Sequence, residues 1–327
     1  MSDQEFFRGR NVLVTGGAGL IGHELVVQLL DRGAAVRATV FRERKLELLH
    51  PKLEIVPCDL MEPDACARVV KGMDVVLHAA AYIRGVKGQQ ADPGALVMRN
   101  LIPSANVIYA SCREEVDRFG WIGSSTVYPD ADHPFREDEA FLSDPLDNYF
   151  GIAWVKRYCE KLCMHFHRST RTRFAIARSG AIYGPHERFS REDGHVLPAL
   201  IVKAHERLDP FPVWGEGRDV RDFVYVSDFA EGLLLMVHRH AEADPVNIAT
   251  GVGSSIRDAL QILLEEEGYS PRVIYETDKP AVNSTRMLDV GKARRLLHYE
   301  AKVPLREGLR KTIRWYKDTL AAGLLPC

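Results

Sequence analysis

A chain of 327 residues with a net charge of −2 offers no general polycation for nucleic acid or membrane surfaces. Its 46% apolar content suits a globular protein with a sizeable core, in one large domain or two interlocked ones. No run of about 18 apolar residues occurs and the start, Met1-Ser2-Asp3-Gln4-Glu5, is polar and acidic, so a soluble cytoplasmic protein is expected. Of the six cysteines only Cys159 and Cys163 lie close together. No second pair supports a zinc site, so reduced thiols and no metal are expected.

Asn11 to Val14 predicts a short buried strand. Gly16, Gly19 and Gly22 follow in GxxGxxG spacing, and a helical pattern begins at once with His23, Glu24, Leu25, Val26, Val27, Leu29 and Leu30. Glycines at such a strand-to-helix turn permit a tight turn, let backbone approach a pyrophosphate, and let helix and strand pack closely. The helix N-terminus then offers free N–H groups to the phosphates. A dinucleotide cradle is therefore expected over Gly16, Gly19, Leu20, Ile21 and Gly22.

Further strands are expected at Ala35–Phe41, Leu53–Pro57, Asp74–Leu77, Arg118–Ile122 and Arg173–Ala177. Helices are expected at Asp64–Lys71, at Leu96–Glu115 with Pro103 near its start or at a kink, and at Tyr149–Arg168. This alternation argues an α/β fold, a doubly wound parallel sheet of the Rossmann type. Ligands should lie at the carboxyl ends of its strands. At the end of the second strand, Val40 and Phe41 precede Arg42-Glu43-Arg44-Lys45. An acidic residue there would hold the ribose hydroxyls of NAD, whereas Arg42 or Arg44 suits the 2′-phosphate of NADP. NADP is the expected cofactor, with NAD open.

The second half has shorter elements, broken by Gly184-Pro185, Pro198, Pro210, Pro212 and Gly215-Glu216-Gly217. A smaller mixed substrate lobe is expected from residues 181–217 and 252–327. Residues 1–180 are expected to form the Rossmann domain, and residues 218–251 to return to it. Ser254–Glu267 and Val290–Leu297 read as amphipathic helices.

Several segments together carry a family resemblance. Thr15 to Gly22, Cys58-Asp59-Leu60, His78 to Ala81, Asn100 and Gly123 to Tyr128 resemble the extended short-chain dehydrogenase/reductases of the NAD-dependent epimerase/dehydratase type. Tyr183-Gly184-Pro185-His186, His195 to Leu200, Val213 to Gly217, Arg221-Asp222-Phe223, Asn247 to Gly251 and Arg286 to Val290 narrow the resemblance. They are similar to the GDP-L-fucose synthase family, the epimerase-reductases of GDP-4-keto-6-deoxymannose. The resemblance implies a nucleotide-diphosphate sugar, specifically a GDP-hexose, as substrate. Lys203, Trp214, Arg221 and Arg286 become substrate contacts, with cations against the diphosphate. Asp59 and Leu60 come near the adenine, and Ala79, Ala80 and Ala81 run along the dinucleotide. A homodimer through the helices at Leu96–Glu115 and Tyr149–Arg168 is also implied, with Tyr158, Leu162 and Phe166 on one stripe.

The chain departs from that family at its proton donors. Hydride transfer there uses a Tyr and a Lys four residues later, which one helix face brings together. Aligned on Gly151-Ile152-Ala153, those positions hold Phe150 and Trp154. Tyr149 and Lys156 are seven residues apart, about 10 Å along a helix. A literal YxxxK at Tyr275–Lys279 precedes Pro280 and reads as a loop. Ser124 matches the catalytic Ser, Thr126 replaces the epimerisation Cys, and His195 matches the epimerisation His. The expected catalytic set is Ser124, Thr126, Tyr149 and His195. Three readings are open: an epimerase-reductase with altered acid–base groups, a redox-neutral epimerase, isomerase or lyase led by His195, or a non-catalytic homologue that binds NADP and nucleotide-sugar.

Overall fold

The computed structural model describes residues 3–42, 45–83, 92–192, 194–277 and 285–324. Seven parallel strands form the main sheet: β1 (Asn11–Thr15), β2 (Ala35–Val40), β3 (Leu53–Pro57), β4 (Val75–His78), β5 (Arg118–Ser124), β6 (Arg173–Ser179) and β10 (Val246–Ile248). Their spatial order is β10-β6-β5-β4-β1-β2-β3. The order reverses between β1 and β4, which pair with Thr15 opposite His78. That reversal is the topological switch point at which such sheets take ligands.

Helices cover both faces. On one side α1 (Asp3–Phe7), α2 (Leu20–Asp31) and α7 (Val226–Arg239) bury Phe7, Leu25, Leu29, Leu233 and Val237 against Val12, Val14 and Leu77. On the other, α3 (Pro63–Val70), α4 (Pro93–Arg113) and α5 (Phe150–Ser169) bury Cys66, Val107, Ile108, Cys159 and Cys163 against Val76, Phe119 and Ile176. The doubly wound parallel sheet is thus as expected. Its inner strands β1 and β4 are nearly continuous apolar runs because both faces are covered, whereas the edge strand β3 is largely exposed. Pro103 lies inside α4, ten residues beyond the helix start, rather than at its beginning.

A smaller lobe adds β7 (Ala181–Tyr183), β9 (Val220–Tyr225), β11 (Gly253–Ser255) and β13 (Thr285–Arg286) as one mixed sheet. A parallel pair, β8 (Phe211–Trp214) and β12 (Val273–Glu276), stands beside it. Helices α6 (Val196–His205), α8 (Ile256–Glu267) and α10 (Leu305–Ala321) pack Leu200, Leu263 and Leu309 in the lobe's core. Between them in sequence, α9 (Gly291–Leu297) turns Ala293 and Leu297 into the core around α7. One expectation is corrected. Residues 218–251 do not return to the large sheet as a block, because β9 runs through the small sheet between β11 and β13. The return is made by α7 and β10. The five cysteines among the described residues are buried and unbridged. No helix among these residues is long and apolar enough to cross a membrane.

Candidate active site at the sheet's switch point

The Gly-rich turn is tight for reasons visible atom by atom. Gly16 has φ +69, and a Cβ there would stand 2.7 Å from the Ala80 Cα. A Cβ on Gly22 would overlap the Gly16 carbonyl oxygen. The loop therefore lies directly on the end of β4. Thr15 Oγ1 ties the two strands, bonding His78 Nδ1 at 2.9 Å and accepting from the Ala80 amide at 3.1 Å. Buried His78 is pushed down to about 3, first by desolvation and then by the charge of Lys156, so it stays neutral. Gly19 caps α2 without a side-chain bond, which leaves that helix end open to an anion.

These features fit a dinucleotide. Gly16, Gly19, Leu20, Ile21 and Gly22 form the turn and helix start, with Ala79 and Ala80 against it. Ala81 is exposed at the end of the same run. Asp59 accepts from the Met61 amide at 3.0 Å, and Asn106 holds the Leu60 carbonyl at 3.0 Å. Arg42, just past β2, has φ +56, and its guanidinium lies 4.8 Å from the centre of the Phe41 ring. Arg44 lies outside the described residues.

At the end of β5, Ser124 Oγ accepts from the Thr126 amide at 3.2 Å and from Thr126 Oγ1 at 3.1 Å. Two donors point into the Ser124 oxygen, so its own O–H is directed elsewhere. Arg286 crosses from the lobe to this loop. It donates to the carbonyl oxygens of Ser125 and Tyr128, and it sits 4.6 Å from the Phe135 ring centre and 5.7 Å from that of Tyr149. Only 4% of it is exposed, yet its Nε and Nη1 have no hydrogen-bond partner among the described residues. Burial, only partly offset by Tyr149, lowers its pKa to about 10. Arg221 occupies the register position opposite Arg286 on β9 and donates to the Val220 carbonyl at 2.9 Å.

The face of α5 differs from what the Gly151-Ile152-Ala153 alignment suggests. Phe150 and Trp154 are 48% and 40% exposed and pack edge to face with each other on the outer side. The sheet side carries Lys156, whose Nζ donates to the Ile122 carbonyl at 2.9 Å and lies 4.8 Å from the Trp121 ring centre. Burial lowers the Lys156 pKa. Helical spacing puts Ile152 one turn before it on the same face. Tyr149 caps the helix and points to Arg286. The literal YxxxK starts with Tyr275 on β12 and runs outside the described residues.

His195 caps α6, and Glu187, which sequence reasoning did not single out, bonds it. Glu187 Oε1 lies 2.6 Å from His195 Nδ1. The Glu187 side chain is 7% exposed and that of His195 52% exposed. Burial lowers the imidazole pKa, but the bond to Glu187 and its charge outweigh this and raise it above the ordinary value. An acid eight residues upstream in an irregular loop has no periodic signal. His186 stacks on His23 of α2, with ring centres 3.6 Å apart. Lys203 Nζ donates to the Pro212 carbonyl at 2.8 Å, and Trp214 ends β8 opposite Glu276.

The geometry agrees with the comparisons. The profile of the NAD dependent epimerase/dehydratase family matches residues 12–249. GDP-L-fucose synthase of Sinorhizobium fredii is 30% identical, over 96% of this chain and 97% of its own length. UDP-glucose 4-epimerase of Thermotoga maritima, solved with UDP-glucose, is 26% identical with a TM-score of 0.84, covering 95% of this chain and 99% of its own. UDP-glucose 4-epimerase of Thermus thermophilus, in complex with NAD, is 25% identical with a TM-score of 0.82, covering 94% of this chain and 99% of its own. With a glycine turn at the switch point, a serine loop ending β5 and matches of this extent, the chain belongs to the NAD dependent epimerase/dehydratase family of enzymes.

Proposed function

We propose that the protein modifies a nucleotide-diphosphate sugar, a GDP-hexose carrying a keto group, as an NADP-dependent epimerase-reductase with altered acid–base groups. The observation that carries this reading is Arg286: a buried guanidinium with two unpaired donors, beside the loop that presents Ser124. A buried charge without its hydrogen bonds is costly, and a diphosphate supplies the missing acceptors bidentately. The relatives named for GDP-L-fucose and UDP-glucose chemistry support the substrate class.

The glycine turn and the start of α2 would hold the pyrophosphate, and Arg42 would meet the 2′-phosphate. The nicotinamide, when bound, supplies hydride transfer. This chain's residues supply the rest. Ser124 donates its hydroxyl hydrogen to the substrate keto oxygen while Thr126 fixes the Ser124 oxygen. Lys156 places a cation on the sheet side of α5. Tyr149, against the Arg286 guanidinium, is the candidate phenol. His195 exchanges protons with the carbon beside the keto group, which the carbonyl acidifies.

The Glu187–His195 pair also favours a second reading. An intact proton carrier beside an altered Tyr–Lys helix suits a redox-neutral epimerase. One experiment separates the readings. The protein is incubated in deuterated water with GDP-4-keto-6-deoxymannose and a panel of other nucleotide-sugars, with and without NADPH, and followed by mass spectrometry and NMR. Deuterium in the sugar together with consumed NADPH supports the epimerase-reductase. Deuterium without NADPH consumption supports the redox-neutral enzyme. Unaltered sugars throughout, with binding intact, leave the non-catalytic homologue.

A further inference from the structure

We infer that Glu187 is a positioning residue for His195, fixing its tautomer and strengthening it as a base. The inference rests on the reading of His195 as the proton carrier, and it adds the group that makes the imidazole fit for that role.

Four observations converge. The Oε1–Nδ1 distance is 2.6 Å, at the short end for a charge-assisted bond. Glu187 is almost fully buried, so its carboxylate meets little screening. Its second oxygen, Oε2, has no hydrogen-bond partner among the described residues. The negative charge is therefore directed chiefly at the imidazole. Finally, the imidazole is half exposed, so its outer edge is open to solvent while its inner edge is held.

A carboxylate is acceptor only, so it bonds Nδ1 in the N–H form. That leaves the lone pair on Nε2, the nitrogen turned away from Glu187. The step then balances simply. Nε2 takes a proton from the carbon beside the keto group, so the C–H bond breaks and an N–H bond forms. The electron pair moves to the carbonyl oxygen, giving an enolate held by the Ser124 hydroxyl. Glu187 stabilises the imidazolium without taking the proton. Exchange with solvent and return to carbon completes the step.

The segment holding Glu187 is itself braced. His186, with φ +63, stacks on His23 in the first turn of α2 and lies 4.7 Å from the ring centre of Trp315 on α10. The carboxylate is thus anchored between the dinucleotide helix and the lobe. Charged neighbours in this segment are Arg188, Arg191 and Glu192, and Arg191 pairs with Glu206 at 3.3 Å.

The test compares Glu187→Gln, Glu187→Asp and His195→Ala in the full-length protein. Readouts are the His195 pKa by NMR, the pH profile of deuterium exchange into GDP-4-keto-6-deoxymannose, and melting temperature as a check on folding. Glu187→Gln keeps the shape and loses the charge. The expected results are a fall in the His195 pKa and at least about a tenfold loss in kcat with KM little changed. Glu187→Asp, which restores the charge, should recover part of both. An unshifted pKa and full exchange in a folded Glu187→Gln, with His195→Ala inactive, overturn the role of Glu187 and leave the functional reading standing. Full exchange in His195→Ala overturns that reading, and the inference with it.

Discussion

The Arg286 guanidinium and the Tyr149 ring lie 5.7 Å apart, joining the smaller lobe to the residue that caps α5. The same guanidinium holds the carbonyls of Ser125 and Tyr128. Arg286→Gln removes the charge and should weaken binding of GDP by about 10- to 100-fold. Calorimetric titration measures this, with Arg221→Gln as a milder comparison. Unchanged GDP affinity in a folded Arg286→Gln protein would place the diphosphate elsewhere.

Gly22→Ala pushes a methyl group into the Gly16 carbonyl. Saturable NADPH fluorescence should disappear in this variant. Arg42→Ala should weaken NADPH about tenfold and leave NADH unchanged, since only NADPH carries the 2′-phosphate. Equal losses for both cofactors would remove Arg42 from cofactor selection.

On α5 the outward face predicts a negative result. Phe150→Tyr with Trp154→Lys places the new groups on the exposed side of the helix, so NADPH-dependent reduction should not rise. Ile152→Tyr stands one turn before Lys156 and should raise it, general acid assistance being worth about 100- to 10,000-fold. Stopped-flow loss of NADPH absorbance with a 4-keto nucleotide-sugar is the measurement. A gain in the double variant and none in Ile152→Tyr would reverse the assignment of the helix face.

Acid should destabilise the fold through His23, His78 and His186. Desolvation lowers them from 6.5 to about 4, 3 and 3. Between these values and pH 6.5 the unfolded chain binds protons that the folded chain refuses. Stability is therefore complete above about pH 6.5 and falls as the pH drops toward 4, by about 1.4 kcal/mol per pH unit for each group. Urea midpoints at pH 7.5, 6 and 5 should show this decline. His186→Asn, which tolerates the left-handed backbone, should make it shallower. A profile that stays flat to pH 5 would contradict the burial of these rings.

The exposed apolar groups Met98, Tyr109, Phe150, Trp154 and Tyr158 on α4 and α5 fit the dimer that the family resemblance implies. Tyr158, 54% exposed, turns to solvent in the single chain, whereas Leu162 and Phe166 pack against the core. Light scattering at micromolar concentration should give a dimer, and Tyr158→Glu a monomer. A monomeric unmodified protein would exclude this interface.

The glycine turn and the parallel, doubly wound sheet were legible because they depend on local chemistry: a tight turn, a period, an alternation. The face of α5 was not. Gly151-Ile152-Ala153 aligns well by residue type, but Cys159, Glu160 and Cys163 decide which side meets the sheet. Arg286 was legible as a candidate, while its buried, half-paired state depends on β13 lying beside β9. Glu187 was missed because an irregular loop carries no repeat that ties an acid to a distant imidazole.

The late arrival of α7 and β10 has a consequence for synthesis. Gly120 of β5 is backed by Leu233 and Val237 of α7, and β6 pairs with β10 on its outer side. When a nascent chain has emerged as far as Gly180, six strands are available, but one sheet face has α1 and α2 without α7, and β6 is an open edge. At about 5–20 residues per second, another several seconds pass before residue 248 appears. During that interval the small lobe is partly made and the large sheet is sticky. A fragment ending at Gly180 should therefore aggregate, and the full chain should depend on chaperones chiefly during this window of translation.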